Sequence, residues 1–278
     1  MFQKIKLEDS KFDVKEFKNI ISFLNVNGFV VIKNFYKKDF LINIKDIFLK
    51  IFTQEYKIKG KIWGHPTNFD GLQMLTYQKD IELVSDIKFK ELFQNDYLKK
   101  ISKSYFGLND IEFNEKLRFL SLKHSKRPVT SWHYDATQSL KFWVNLQDTD
   151  EKNGALLVAP GTHYLGRLIA ENNLLKGISI KKMRTGVRND SIVLQNRISL
   201  NVSFGDLIIF DTDIFHTGGL ISENQERLSI YSYTFPLPHK KNVPFCSPGW
   251  FLKSYFNINK INSLRKYCKR IICDDKYL

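Results

Sequence analysis

Short apolar runs, each about as long as a β-strand, recur through the second half of the chain and constrain its fold more than any other feature. They begin near residue 115 and are separated by turn-forming sequences such as Pro160-Gly161 and Phe204-Gly205-Asp206. The runs cover residues 117–122, 129–135, 141–146, 155–159, 200–202, 207–210 and 228–235. Many short strands with frequent breaks are typical of a β-barrel or a double-sheet jelly roll. We therefore predict a mainly β fold.

The first part of the chain has a helical period instead. Apolar side chains recur at helical spacing in residues 14–25, 39–56 and 89–105, and residues 29–32 read as one buried strand. These helices are expected to flank the β core. Residues 57–80 lack a clear period and contain several glycines, so we predict a loop that reaches the active site.

The chain shows no composition shift, linker or internal repeat, and we predict a single domain over residues 1–278. Its predicted parts are a helical N-terminal part of about 1–114, a jelly-roll core of about 115–236 and a C-terminal extension of about 237–278. Residues 162–195 interrupt the series of short strands, so we predict a long crossing segment or lid there. For residues 258–272 we predict a terminal helix.

The formal net charge of +14 permits a nucleic-acid partner, a membrane surface or an acidic substrate. Because the lysines are spread along the chain, an ordinary solvated surface is the favoured interpretation. No apolar run of about 18 residues occurs, so we predict no membrane span. Cys246, Cys268 and Cys273 form neither a disulfide framework nor a zinc pattern. These features predict a cytoplasmic location, and none of them predicts an oligomeric state.

An imidazole and a carboxylate stand two residues apart in the predicted strand 129–135. Residues i and i+2 of a strand point to the same side, so His133 and Asp135 can bind one ion. A third ligand must come from elsewhere, and His216, which follows the apolar run 207–210, is the best candidate. Two histidines and one carboxylate leave open positions on a metal, an arrangement that non-haem Fe(II) oxygenases use.

A second constellation opens the last apolar strand, where Arg227 precedes Ser229 by two residues. An α-keto dicarboxylate that chelates Fe(II) through one end needs a cation for its distal carboxylate. Arginine offers a planar fork that matches a carboxylate with two hydrogen bonds, and Ser229 could add a third. The alternative is a surface ion pair between Arg227 and Glu223 or Glu226.

The ordered set of these segments resembles a known family. The matching segments are residues 27–35, His133-Tyr134-Asp135, Trp143, residues 153–156, residues 160–163, Gly205-Asp206, His216 and Arg227. The chain is similar in these places to the phytanoyl-CoA dioxygenase-like branch of the Fe(II)/2-oxoglutarate-dependent oxygenases. The resemblance implies a double-stranded β-helix (a jelly-roll, cupin-like core) and the use of Fe(II), 2-oxoglutarate and O2.

The resemblance also implies residue roles. His133, Asp135 and His216 would bind Fe(II), and Arg227 would bind 2-oxoglutarate. Trp143 matches a position whose ring lines the 2-oxoglutarate pocket, with ordinary core packing as the alternative. The family often has a hydroxyl residue two positions after the distal histidine, where this chain has Gly218. Either Thr217 substitutes for that residue, or Ser229 makes the contact alone. His163 would have a structural or substrate-side role.

The resemblance implies an oxidation that releases succinate and CO2, and we predict hydroxylation of a small polar metabolite. Lysines and arginines in residues 57–80 and 162–195 could face an anionic group on it, with ordinary solvated loop charges as the alternative. Related halogenases replace the carboxylate ligand with a small residue, so the presence of Asp135 favours hydroxylation or a related oxidation over halogenation. One alternative is an oxygenase or demethylase acting on a macromolecule such as nucleic acid. Demethylases of that kind carry a second arginine where this chain has Tyr233, which makes a nucleic-acid substrate the weaker interpretation. The other alternative is a metal-binding barrel without enzymatic activity.

Overall fold

The apolar runs of the second half form strands that pair into two sheets. The computed structural model describes residues 5–6, 14–52, 63–64, 72–77, 92–113, 117–125, 130–135, 138–175, 187 and 194–236. The strands are β1 (Ile5–Lys6), β2 (Phe29–Lys33), β3 (Trp63–Gly64), β4 (Leu72–Tyr77), β5 (Ile111–Phe113), β6 (Leu117–Ser125), β7 (Leu140–Asn145), β8 (Leu156–Val158), β9 (Ile198–Leu200), β10 (Leu207–Asp211), β11 (His216–Gly218) and β12 (Ile221–Pro236). The helices are α1 (Val14–Asn27), α2 (Lys38–Phe52), α3 (Asp96–Phe106) and α4 (His163–Leu175).

Within the described residues, the larger sheet has the strand order β1-β2-β10-β7-β12-β6-β4-β3, with β5 also paired to β12, and the smaller sheet has the order β11-β8-β9. Strands β1 and β2 are parallel, whereas the other pairs are antiparallel. The two sheets form the curled, antiparallel jelly-roll core that the sequence predicts. The prediction of a mainly β fold with flanking helices is confirmed.

The two faces of the larger sheet have different neighbours because side chains alternate along each strand. Phe142 and Ile230 lie on the outer face, in one apolar cluster with Ile20 of α1 and Phe48 of α2. The opposite face forms a second cluster with the smaller sheet. That cluster includes Leu120, Leu122, Trp143, Ile208, Phe210 and Tyr231 from the larger sheet and Leu156, Val158 and Leu200 from the smaller one. The inner face therefore encloses the interior of the barrel.

Two local predictions are wrong. Residues 57–80, predicted as loop, contain β3 and β4, and β4 pairs along its whole length with β6. The partner strand lies far away in sequence, which a local pattern cannot reveal. Conversely, residues 129–135 do not form a strand where they are described, and His133 makes only an isolated β-bridge to His216. The segment 162–195, predicted as a crossing segment or lid, begins with α4.

A close contact with another side chain requires glycine at position 28, between α1 and β2. Its φ is +78°, and a Cβ atom at this position would lie 2.6 Å from Nδ1 of His163. His163 opens α4, and its Nε2 lies 3.2 Å from the carbonyl oxygen of Asn25. The histidine therefore connects α4 to the end of α1, which favours the structural one of its two expected roles.

The predicted C-terminal helix and the three cysteines lie outside the described residues, as do most of residues 176–193. Where residues are described, no helix is both long enough and apolar enough to cross a membrane. The predicted division of residues 1–278 into three parts stays a prediction.

Candidate active site

His133 and His216 are brought together by backbone pairing. Each backbone N–H donates to the carbonyl oxygen of the other residue, at 3.1 Å from His133 and 2.9 Å from His216. The backbone N–H of Asp135 donates to the carbonyl oxygen of Thr212 at 2.8 Å, which ties the carboxylate-bearing residue to the turn before β11. The two imidazole rings lie 4.4 Å apart between their centroids. This pairing places both imidazoles on one side of the barrel mouth.

Both imidazoles have the orientation that a metal ligand needs. Nδ1 of His133 lies 2.8 Å from the carbonyl oxygen of Ser131, and Nδ1 of His216 lies 2.8 Å from that of Ile214. A carbonyl can only accept, so Nδ1 carries the proton in each ring and Nε2 keeps its lone pair. Hydrogen bonds of this kind orient ligating histidines in many metalloproteins.

The three predicted ligand residues converge. One ligand atom each from His133, Asp135 and His216 lies within 4.8 Å of the other two. Nε2 of His133 is 3.6 Å from Oδ1 of Asp135. The set fits Fe(II), which binds two imidazoles and a carboxylate on one face and leaves the opposite positions open.

The surroundings of His216 favour a neutral imidazole. Burial lowers the pKa of His216 well below its usual value, and His133 and Lys141 lower it further, against the opposing effect of Asp135. Only the neutral ring can ligate a metal. His216 is therefore already in its ligating form at neutral pH.

Lys141 is a site residue that the sequence patterns did not reveal. Its ammonium group lies 3.1 Å from Oδ2 of Asp135, and the residue is 6% exposed. The feature that could have revealed it is its position on β7, two residues before Trp143, in a strand whose residues are all buried. A single lysine in such a strand is not diagnostic until its partner is known.

Arg227 points into the barrel rather than to the surface. It is 2% exposed, whereas Glu223 and Glu226 are exposed, so the alternative of a surface ion pair is wrong. Nη1 of Arg227 donates to the carbonyl oxygen of Gly154, and Nε has no hydrogen-bond partner among the described residues. Burial lowers the pKa of Arg227 to about 10. A buried guanidinium with a free donor is suited to bind an anion.

Gly218 occupies the position where the family often has a hydroxyl residue. It lies two residues after His216 on β11, and a Cβ atom there would be 3.2 Å from Nη2 of Arg227. The guanidinium thus occupies the space that a larger side chain would need. The guanidinium therefore lies beside Gly218, two residues along β11 from His216.

Trp143 and Ser229 are connected through Asn145. Nε1 of Trp143 donates to Oδ1 of Asn145 at 2.8 Å, and Oγ of Ser229 donates to the same atom at 2.7 Å. Trp143 also stacks on Tyr231, with ring centroids 4.8 Å apart and planes 2° from parallel. The Arg227 guanidinium carbon lies 5.7 Å from the Trp143 ring centroid. The tryptophan therefore supports the guanidinium, and Asn145 orients the tryptophan.

Thr217 has a local partner. Its hydroxyl donates to the carbonyl oxygen of Thr130 at 2.5 Å. This bond ties β11 to the segment that precedes His133. The structure therefore gives the hydroxyl a role in positioning the two histidine-bearing segments, and its predicted contact with 2-oxoglutarate stays a prediction.

The fold is shared with several enzymes whose structures are solved. The epimerase SnoN, solved with Fe3+, alpha ketoglutarate and nogalamycin RO, is 17% identical, with a TM-score of 0.61 over 84% of this chain and 94% of that chain. EctD from S. alaskensis, solved with bound Fe, is 15% identical, with a TM-score of 0.60 over 88% and 85%. HygX from Streptomyces hygroscopicus, solved with nickel and 2-oxoglutarate, is 12% identical, with a TM-score of 0.55 over 80% and 87%. No curated protein sequence matches the chain.

The fold and the two-histidine, one-carboxylate cluster are those of the Fe(II)/2-oxoglutarate-dependent oxygenases. A family model for phytanoyl-CoA dioxygenase (PhyH) matches residues 24–228, which include the cluster and Arg227. The chain therefore belongs to the phytanoyl-CoA dioxygenase family. Iron, 2-oxoglutarate and O2 are accordingly its cofactor and cosubstrates.

Proposed function

We propose that this oxygenase hydroxylates a small polar metabolite, with release of succinate and CO2. In this proposal His133, Asp135 and His216 bind Fe(II), and Arg227 binds the distal carboxylate of 2-oxoglutarate. The observation that carries the proposal is the convergence of the three ligand residues within 4.8 Å. When bound, the iron and 2-oxoglutarate supply the activation of O2.

The residues around the proposed 2-oxoglutarate site position and desolvate the cosubstrate. Nε of Arg227 has no hydrogen-bond partner within the part of the chain that the structure describes, and the guanidinium is held by Trp143 and Gly154. The hydroxyl of Ser229 donates its proton to Asn145 in this structure, so it contributes to the site by holding Asn145, and its predicted contact with 2-oxoglutarate stays a prediction. Since the guanidinium is buried, a carboxylate bound to it is shielded from water, and the ion pair is stronger than on the surface.

Two cations on the inner face favour a substrate with an anionic group. The guanidinium carbon of Arg118 lies 5.9 Å from the ring centroid of Tyr231 and 5.6 Å from that of Tyr233. Lys141 lies 5.4 and 5.1 Å from the same two rings. Both positive charges therefore lie beside the same pair of tyrosines, near Asp135. This charge supports the choice of a small anionic metabolite.

Hydroxylation is proposed over halogenation because Asp135 retains the carboxylate that halogenases of this class lack. The proposed substrate is a small molecule rather than nucleic acid. At the position of the second arginine of nucleic-acid demethylases, this chain has the buried Tyr233. The predicted cytoplasmic location is kept as part of this proposal.

The first experiment measures succinate release by the purified protein with Fe(II), 2-oxoglutarate and O2, stimulated by fractions of a metabolite pool. We expect stimulation by an anionic fraction, and no stimulated turnover for Asp135→Ala. Asp110→Ala, which alters an exposed carboxylate, should behave like the wild type. Retained turnover in Asp135→Ala would refute the ligand assignment, and absence of any iron-dependent 2-oxoglutarate consumption would favour a non-enzymatic barrel.

The second experiment identifies the reaction type by mass spectrometry under ¹⁸O₂. Hydroxylation adds one labelled oxygen atom to the product. A product of unchanged mass would indicate epimerisation, and loss of two hydrogen atoms would indicate desaturation or ring closure. Either result would overturn hydroxylation while leaving the oxygenase class intact.

A further inference from the structure

Lys141 is an unusual residue to find inside a barrel. Lysine is almost never fully buried unless it is paired, because removing an ammonium group from water is costly. Here the residue is 6% exposed, and its hydrogen-bond acceptor is Oδ2 of Asp135, at 3.1 Å. The partner is one of the three proposed metal ligands. The lysine therefore has a direct physical connection to the metal site.

Three aromatic rings hold the ammonium group in place. It lies 5.1 Å from the centroid of Phe210, 5.4 Å from that of Tyr231 and 5.1 Å from that of Tyr233. Phe210 and Tyr233 are the direct cross-strand partners of Lys141 on β10 and β12. The cation thus interacts with ring faces that belong to the rigid sheet. Its position is fixed more firmly than that of an ordinary lysine.

Asp135 is bonded through its backbone to the turn before β11 rather than to a strand. It follows an isolated β-bridge rather than lying within a strand, and its side chain is 14% exposed. Its two oxygen atoms have different neighbours: Oδ2 faces Lys141, and Oδ1 lies 3.6 Å from Nε2 of His133. The carboxylate oxygen that lies near His133 is therefore not the one that contacts the lysine.

We propose that Lys141 is a positioning residue that holds Asp135 as a one-oxygen metal ligand. The ammonium group retains Oδ2, so that only Oδ1 is presented to the ion. A carboxylate that bound through both oxygens would occupy one of the positions that a chelating cosubstrate and O2 need. This inference rests on the proposed ligand assignment of His133, Asp135 and His216.

Two physical effects of the lysine act on metal affinity in opposite directions, which makes the inference testable. If Lys141 only adds positive charge, its removal relieves repulsion and the protein binds a divalent ion more tightly. If Lys141 orients Asp135, its removal weakens binding, and loss of a group that orients a ligand typically costs about 10–100-fold in affinity. The sign of the change separates the two roles.

The test is a calorimetric titration of the metal-free full chain with Co(II), which requires neither substrate nor turnover. We expect Lys141→Met to raise the Co(II) Kd by about 10-fold or more. Lys99→Met, at an exposed position on α3, is the control and should leave the Kd unchanged. In an Asp135→Ala background, Lys141→Met should no longer weaken binding, because the group it positions is absent. Lys141→Gln replaces Lys141→Met if thermal unfolding shows that the methionine variant does not fold.

The outcomes separate the two proposals. If wild type and Asp135→Ala bind Co(II) equally well, the ligand assignment fails. If wild type binds in an Asp135-dependent manner but the Lys141 variants bind as tightly or more tightly, only the positioning role fails. Equal weakening by Lys141→Met with and without Asp135 would also overturn it, since the lysine would then act independently of the carboxylate.

Discussion

Gly218 leaves open the space that the Arg227 guanidinium occupies: a Cβ atom on the glycine would lie 3.2 Å from Nη2 of the arginine. The nearby contacts to the Trp143 ring and the Gly154 carbonyl oxygen hold the guanidinium from other directions. A side chain at position 218 would therefore displace the guanidinium rather than simply fill a gap. The absence of the hydroxyl residue that the family often has here is coupled to the placement of Arg227.

This coupling predicts a graded response to side-chain size at position 218. Gly218→Ala needs a shift of a few tenths of an ångström and should weaken 2-oxoglutarate binding only slightly. Gly218→Val should weaken it by about 10-fold, or about 1.4 kcal/mol, because the branched side chain must move the guanidinium. Tryptophan fluorescence during 2-oxoglutarate titration with Mn(II) present measures the Kd. Equal affinities for both variants and wild type would contradict the coupling.

Arg227 itself should affect ligand-free stability and cosubstrate binding in opposite ways. Without an anion its charge is buried and its Nε lacks a partner among the described residues. Arg227→Met removes this cost, so the melting temperature of the ligand-free protein should stay the same or rise. Wild type should gain about 2.7 kcal/mol at 2-oxoglutarate concentrations of about 100 times Kd, and the variant should gain none.

Differential scanning calorimetry with and without 2-oxoglutarate checks this prediction. Arg197→Met, at an exposed position, is the matched control and should keep the full ligand-induced shift. An undiminished shift in Arg227→Met would remove the arginine from the cosubstrate site.

Asn145 should be needed for both stability and 2-oxoglutarate binding. Asn145→Leu leaves the buried donors of Trp143 and Ser229 without their shared acceptor. Each orphaned donor costs about 1–3 kcal/mol, so urea unfolding should show a loss of roughly 3 kcal/mol. The 2-oxoglutarate Kd should also rise, since Trp143 supports Arg227. Asn196→Leu, which alters an exposed asparagine, should cause neither change.

Because the imidazole of His163 is buried, we predict that folding stability depends on pH through this residue, independently of the metal site. Burial lowers its pKa below the usual value of 6.5, against the opposing effects of Asp211 and the Asn25 carbonyl. Below pH 6.5 the unfolded chain takes up a proton that the folded imidazole does not. Folding stability should therefore fall as the pH falls from 6.5 towards the lowered pKa, by at most about 1.4 kcal/mol per pH unit from this group.

The measurement is urea unfolding at pH 7.0, 6.5, 6.0 and 5.5 for wild type and His163→Asn. The pH of each solution is adjusted after the urea is added. The comparison uses the slopes rather than the absolute stabilities, because the substitution also changes the contact with Gly28. The variant should show a shallower decline below pH 6.5. Parallel profiles would mean that His163 does not contribute.

Short-range features of the sequence determined the ligand chemistry and most strands. The residue types and spacing of His133 and Asp135, and the position of Arg227 at the start of an apolar run, are local patterns that the sequence shows directly. The alternation of side chains in β7 and β12 similarly predicts which residues face the interior. Together with the resemblance of the ordered segments to the phytanoyl-CoA dioxygenase family, these features predicted the class of protein that the family match then confirmed.

Tertiary structure decided how the distant segments meet. The β-bridge between His133 and His216, the pairing of β4 with β6, and the ion pair of Lys141 with Asp135 each join residues from separate elements. The roles of Asn145 and Gly218 also depend on neighbours that come from other strands. Sequence patterns report the period and chemistry of one segment at a time, whereas register and cross-strand neighbours are set by packing of the whole barrel.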